Sequence, residues 1–97
     1  MSEALRRTLR IDARHRSLDE VLAQLARDLA LPDWFGHNLD ALYDMLTTEV
    51  EGPLCILWRI DRSVRARLGP DYRRLRRTLL DAAAARDDLE VVIEEVD

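Results

Sequence analysis

Asp40, Tyr43 and Asp44 lie within one five-residue span of the segment LPDWFGHNLDALYDML, residues 31–46. Residues three and four apart share a helix face, so a helix here would present two carboxylates beside a phenol ring. Like charges four apart cost an isolated helix roughly 0.2–0.5 kcal/mol, which points away from a purely structural role. Three readings compete. The simplest is a solvated helix face. The second is catalysis by paired carboxylates, but glycoside hydrolysis and related acid–base work hold the two carboxyls across a cleft on separate elements. The sequence has no nucleophile motif, no glycine-rich phosphate loop and no His/Cys/Asp ligand cluster, and His15 and His37 are isolated. No catalytic residue, metal ligand or cofactor site is therefore expected. The third reading is a binding patch for a basic partner, with Trp34, Phe35 and Tyr43 as aromatic anchors of the kind that interfaces favour. Core packing is the alternative for Phe35, and less so for Trp34.

Charge supports the third reading. The net charge is −4, but its distribution is uneven. Between Arg27 and Arg59 there is no lysine or arginine, while the stretch holds Asp28, Asp33, Asp40, Asp44, Glu49 and Glu51. The rest of the chain is slightly positive, so the negative excess comes from the middle of the sequence. Such a field steers a basic partner, although a merely acidic surface would look the same.

The elements that must position this segment follow from periodicity. Alternation through Leu5, Leu9 and Ile11 predicts a strand near 5–11. Ser17 with Glu20 forms a capping-box pattern, and Leu18, Val21, Leu22, Leu25, Ala26 and Leu29 predict a helix over 18–29 that Pro32 closes. Gly36 permits a sharp turn, Asn38 suits an N-cap, and Leu39, Leu42, Leu46 and Val50 mark the buried stripe of the next helix. Residues 54–58 form an apolar run expected to be a strand covered on both faces. Its single cysteine, Cys55, is expected to be a buried, inert thiol. A short helix over 61–68 ends at Gly69, Pro70 opens another that runs to about Ala85, and Leu89, Val91 and Ile93 alternate as a last strand. This order predicts one α/β domain over 1–97: a small three-stranded parallel sheet, with right-handed crossovers, packed with about four helices.

Arg62, Arg65, Arg67, Arg73, Arg74, Arg76 and Arg77 form a basic run that could bind nucleic acid. Asp61, Asp71 and Asp81 are interspersed, the net charge is negative and no nucleic-acid motif is present, so a solvated face is the expectation. The residues SEALRR after Met1 contain no apolar run. Neither a leader nor a membrane span is expected, and the location is expected to be cytoplasmic.

The central motif, followed by Gly52-Pro53-Leu54 and Trp58-Arg59, resembles the barstar family of intracellular ribonuclease inhibitors. The pattern runs apolar residue, proline, acid, two aromatics, glycine, any residue, then Asn-Leu-Asp-Ala-Leu-aromatic-Asp, and the resemblance spans nearly the whole chain. It implies a three-stranded parallel sheet packed with helices and a protein that plugs the active site of a small basic, secreted ribonuclease, the guanyl-specific microbial type first. By the same resemblance Asp44 takes the place of a substrate phosphate, Asp40 faces a further arginine or the guanine-recognition loop, and Trp34 and Tyr43 pack on the enzyme. Gly36 and Asn38 present backbone and amide groups, and Asp81 stands where an assisting glutamate would. The chain departs from the pattern in Tyr43 for tryptophan, Trp34 for tyrosine, and Arg86 where an acid late in the last helix would fall. The implied partner is the nuclease alone, with no direct nucleic-acid or membrane contact and a monomer before binding. The alternatives are an antidote to a divergent nuclease toxin and an Arg-rich nucleic-acid-binding protein.

Overall fold

Leu9 and Ile11 point inward while Arg7, Thr8 and Arg10 stay exposed, and this alternation makes β1, Arg7–Ile11. The computed structural model describes residues 6–32 and 35–96, so the expected start of this strand at Leu5 lies outside the described residues. α1 spans Leu18–Asp28, α2 spans Leu39–Asp44 and a single π-helical turn continues it over Met45–Glu49. β2 is Leu54–Ile60, α3 is Arg62–Leu68, α4 is Pro70–Ala85 and β3 is Leu89–Glu95. The three strands form one parallel sheet in the order β1-β2-β3, with Leu9 opposite Ile56 and Ile56 opposite Val91.

The core lies between one face of this sheet and the helices. Leu54, Ile56, Trp58 and Ile60 of β2 are buried against Leu22, Leu25, Leu42, Leu46, Leu75 and Leu79. The alternate residues of β2 are less covered: Cys55 and Leu57 are half-buried and Arg59 is exposed. The expectation of a strand covered on both faces is therefore corrected. An unbroken apolar run permits double coverage but does not demand it, and here Thr8, Cys55 and Glu90 share a row on the open face. Cys55 is thus half-buried instead of buried. Desolvation, with Glu90 adding to it, raises its pKa and keeps it a thiol at neutral pH.

Each helix end has a local cause. Ser17 Oγ accepts from Glu20 N at 3.2 Å, and the Glu20 carboxylate accepts from Arg16 N at 2.8 Å, one residue earlier than a standard capping box. Asp61 caps α3 by accepting from Val64 N at 2.9 Å. α1 closes in a Schellman turn: Leu31 N donates to Ala26 O and Ala30 N to Arg27 O, with Ala30 at φ 52°. Alanine in this left-handed conformation is strained where glycine is not. Ala30→Gly is expected to raise stability by about 0.5–1 kcal/mol, offset in part by the added freedom of the unfolded chain, and a urea midpoint checks it.

Between β1 and α1 a single buried amide organises the loop. Gln24 Oε1 accepts from Asp12 N at 2.9 Å and from His15 Nε2 at 2.8 Å. Its Nε2 donates to Arg10 O at 2.7 Å and to Asp28 Oδ2 at 3.0 Å. All the amide's bonding capacity is used, which is what makes its burial tolerable.

Candidate partner-binding site

The segment before α2 is shaped by two residues. His37, at φ 48°, makes the left-handed reversal. Gly36 does not, which corrects the expectation that glycine supplies the sharp turn; histidine and asparagine tolerate this region better than most residues. Gly36 serves close approach instead, since a Cβ there would stand 3.0 Å from Asn38 Nδ2. That amide nitrogen leans toward Gly36 O at 3.4 Å while Asn38 Oδ1 accepts from Ala41 N at 2.7 Å, so Asn38 caps α2 as expected. Gly36 and Asn38 are both exposed.

Leu42, Met45 and Leu46 turn into the core, and Asp40, Tyr43 and Asp44 are left outside. Tyr43 is 37% exposed, an unusual position for a large ring. The helix does not continue regularly. Val50 N bonds Met45 O at 2.9 Å, closing the π turn, and Val50 itself is extended. The expected stripe Leu39, Leu42, Leu46, Val50 is therefore corrected: Leu39 is only partly buried, Val50 is buried but lies beyond the helix, and Met45 joins the core. The hydroxyls of Thr47 and Thr48 fold back onto the Tyr43 and Asp44 carbonyls at 2.8 and 2.6 Å, a bonding mode that bends helices. π turns of this kind recur at functional sites.

α2 packs on α4, and the end of its π turn is tied to the end of α4 by Arg86. Arg86 Nη1 donates to Leu46 O at 2.8 Å and to Val50 O at 2.5 Å. Its Nε and Nη2 meet both oxygens of Asp88 at 2.8 Å each. Beside it, Gly52 lies so close to Asp88 that a Cβ would meet its carboxylate at 2.3 Å and its carbonyl at 2.9 Å. Sequence reasoning treated Arg86 as a lost acid. The usable signal was its place just past the end of α4, where a cation can satisfy bare carbonyls.

The electrostatics sort the acids into two groups. Asp12, Asp28, Asp61, Asp71, Asp88, Glu90, Glu94 and Glu95 have arginine or backbone partners. Among the described residues, the side chains of Asp19, Asp40, Asp44, Glu49, Glu51, Asp81 and Asp87 have no hydrogen-bond or ion-pair partner, and four of these seven lie in the stretch without lysine or arginine. Asp81 is exposed on α4, the helix that packs against α2. Phe35 is buried at 6% exposure and belongs to the core, with its ring 5.2 Å from that of His37. Of its two sequence-based roles it takes the packing one, and as a surface anchor it is withdrawn. Trp34 lies outside the described residues. The face as a whole offers two carboxylates and a phenol ring with no internal cation to neutralise them, an arrangement suited to meeting arginines supplied by another molecule.

The partnered acids carry the pH dependence of folding. Hydrogen bonds from Arg14 hold Asp12 down at about 2, the Val64 amide lowers Asp61, and the Arg86 fork lowers Asp88. A carboxyl whose pKa is lower folded than unfolded contributes stability that is complete above its unfolded value and vanishes as pH falls through the folded one. The thermal midpoint is therefore expected to be flat near neutrality and to fall from about pH 4 toward 2. Asp88→Asn and Asp61→Asn should each flatten that fall, read by circular dichroism melts across this range.

Among the described residues no group of His, Cys, Asp or Glu is placed to hold a metal ion, and no helix is long and apolar enough to cross a membrane. In comparison with known families, the family model described as Barstar (barnase inhibitor) matches residues 6–94.

Proposed function

We propose, from the premise that this chain belongs to the barstar family, whose members are inhibitors of barnase-type ribonucleases and not enzymes, that α2 is the surface with which it plugs the cleft of a small basic nuclease. The observation that carries this reading is the pair Asp40 and Asp44, exposed beside Tyr43 and without internal partners, on a stretch of chain that has no lysine or arginine. A ribonuclease binds a polyanion, so its cleft is basic. Carboxylates on a helix braced by α4 and Arg86 imitate phosphates and cannot be cleaved. Asp44 is the central phosphate mimic, Asp40 meets a second arginine, Tyr43 packs on the rim, and Gly36 and Asn38 border the contact with their exposed backbone. Asp81 extends the acidic surface from α4. The favoured target is a guanyl-specific microbial ribonuclease made for export. The inhibitor acts in the cytoplasm, as a monomer until it binds, and turns over no RNA itself.

The test is to titrate the protein into a panel of small microbial ribonucleases with a fluorogenic RNA substrate. Stoichiometric loss of cleavage for a guanyl-specific enzyme is expected; no loss across the panel would reject the target class. RNA cleavage by the protein alone, removed by Asp44→Ala, would overturn the inhibitor reading itself.

Rates give a further prediction. An acidic face approaching a basic cleft associates faster than a neutral pair, whose rate constant is roughly 10⁵–10⁶ M⁻¹s⁻¹, and slows as salt screens the attraction over a Debye length near 8 Å at 0.15 M. Stopped-flow association with the cognate nuclease is expected to slow at least tenfold between low salt and about 0.5 M. A rate indifferent to salt would make the charge asymmetry incidental.

A further inference from the structure

The basic run of α3 and α4 does not behave as one solvated face. Arg74 pairs with Asp71 at 2.9 Å, and Arg67 donates to Ala13 O and His15 O across the loop after β1. Four other side chains are different. Arg65, Arg73, Arg76 and Arg77, with Tyr72 and Glu95, line a cleft of about 430 Å³. Arg73 and Arg77 have no hydrogen-bond or ion-pair partner among the described residues. Arg65 and Arg76 share one acid, Glu95, at 4.0 and 3.6 Å, beyond hydrogen-bond length. Arg76 Nε is covered from solvent and faces Glu95 Oε2 at 3.6 Å, too far for a full hydrogen bond. Glu95 therefore holds these guanidiniums loosely, and the Arg76 side chain, 43% exposed, leaves its outer face open to an oxyanion that bonds it at full strength.

We propose that this cleft is a second binding site, for the phosphate backbone of single-stranded RNA. Arg73 and Arg77 stand about 6 Å apart along α4, with Arg65 contributed by α3, so the positive charge is spread along a length and not gathered on one small anion. Guanidinium forks match phosphate oxygens in geometry and charge. An acidic protein surface would need apolar anchors to make an interface. The one aromatic ring here, Tyr72, is half-buried and already packed on Trp58 with ring centroids 5.8 Å apart. A phosphate chain needs no such anchor. Glu95 is the resident competitor: its loose hold on Arg65 and Arg76 is broken when a phosphate arrives. Arg76 stands nine residues from Ala85, the last residue of α4, about 13.5 Å along the helix axis, and Arg86 follows just beyond. The cleft is centred on the first half of α4 and the Arg86 clamp lies past its last residue, with Asp81, one turn beyond Arg77, between them.

The experiment is fluorescence anisotropy of a labelled oligouridylate of about 12 nucleotides, titrated with the full chain over a range of salt. Binding is expected at low salt, with a log–log salt slope of about 2–3 at roughly 0.7 per phosphate contacted. Arg73→Ala combined with Arg76→Ala should lower that slope by about 1.4 and weaken binding at least tenfold. Glu95→Gln should tighten binding severalfold. Thermal melts establish that the variants are folded, and nuclease inhibition should be unchanged in each. Displacement of the oligonucleotide by tripolyphosphate is expected, since the phosphates are what the arginines grip. Tripolyphosphate binding without oligonucleotide binding would assign the cleft to free polyphosphate and overturn the RNA proposal. Displacement by polyglutamate as effective as by tripolyphosphate would move the site to an acidic protein. No binding at low salt, or binding indifferent to the arginine pair and to Glu95→Gln, would reject the site altogether.

Discussion

Asp44→Ala is expected to remove most of the inhibitory power of this protein while leaving its fold intact. The side chain is exposed and, among the described residues, unpartnered, so truncation removes no internal contact. In the complex its carboxylate would be desolvated among several arginines that lie close together. Removing it leaves those charges buried and facing one another, and truncating one partner of such a pair costs about 2–5 kcal/mol or more, a range that complexes of this inhibitor family themselves helped to set. Inhibition should therefore weaken by at least thirtyfold. Asp40→Ala should cost less, and Tyr43→Ala less again, as a rim contact. Asp19→Ala, equally exposed on α1 and remote in sequence from the motif, should cost under about 0.5 kcal/mol. Stability should move the other way. Asp44 sits near the negative end of α2 and four residues from Asp40, so its loss relieves roughly 0.3–1 kcal/mol of repulsion. The thermal midpoint of Asp44→Ala is thus expected to equal or slightly exceed that of the parent. Inhibition constants and melting midpoints on the same variants check both halves. Undiminished inhibition by Asp44→Ala would remove it from the site.

Arg86→Ala is expected to do the reverse, unfolding the protein readily and weakening inhibition only as a consequence. Its side chain is 17% exposed and makes four hydrogen bonds, two to the carbonyls of Leu46 within the π turn and Val50 just past it, and two to Asp88. Hydrogen bonds to charged groups contribute about 1.5–3 kcal/mol each when a partner is stranded, and they are not additive within one side chain. A loss of about 2–4 kcal/mol follows, a large share of the stability of a domain this size. Arg86→Lys should recover only part of it, because an ammonium cannot grip the two carbonyls and the Asp88 fork together. Urea midpoints rank the three proteins. Inhibition corrected for the folded fraction should match the parent's, and a folded fraction that inhibits much less tightly would show that Arg86 does more than hold the fold together. A midpoint within about 0.5 kcal/mol of the parent's would show that the clamp is dispensable.

Much of this was legible in the chain itself. Local chemistry was sufficient wherever one residue type answers one backbone need: Ser17 and Asn38 at helix starts, Pro70 opening α4, Gly69 ending α3. Apolar spacing placed both long helices and the outer two strands, because burial repeats at 3.6 residues in one and at 2 in the other, and an unbroken apolar run placed the central strand. The exposed trio Asp40, Tyr43 and Asp44 also followed from spacing, since Leu42 and Leu46 leave only one face free. Tertiary structure decided what depends on partners distant in sequence. The π turn after Asp44 is set by threonine hydroxyls and by the carbonyls that Arg86 holds from forty residues away. Phe35 packs into the core at 6% exposure, one of the two roles the sequence left open for it. The open face of β2 depends on where the crossovers lie, and an apolar run reads the same with one face covered or two. The arginines of α3 and α4 were separated into clamps, surface pairs and a cleft only when β3 brought Glu95 between two helices. Sequence determines which side chains need a partner; only the folded chain determines which of them find one.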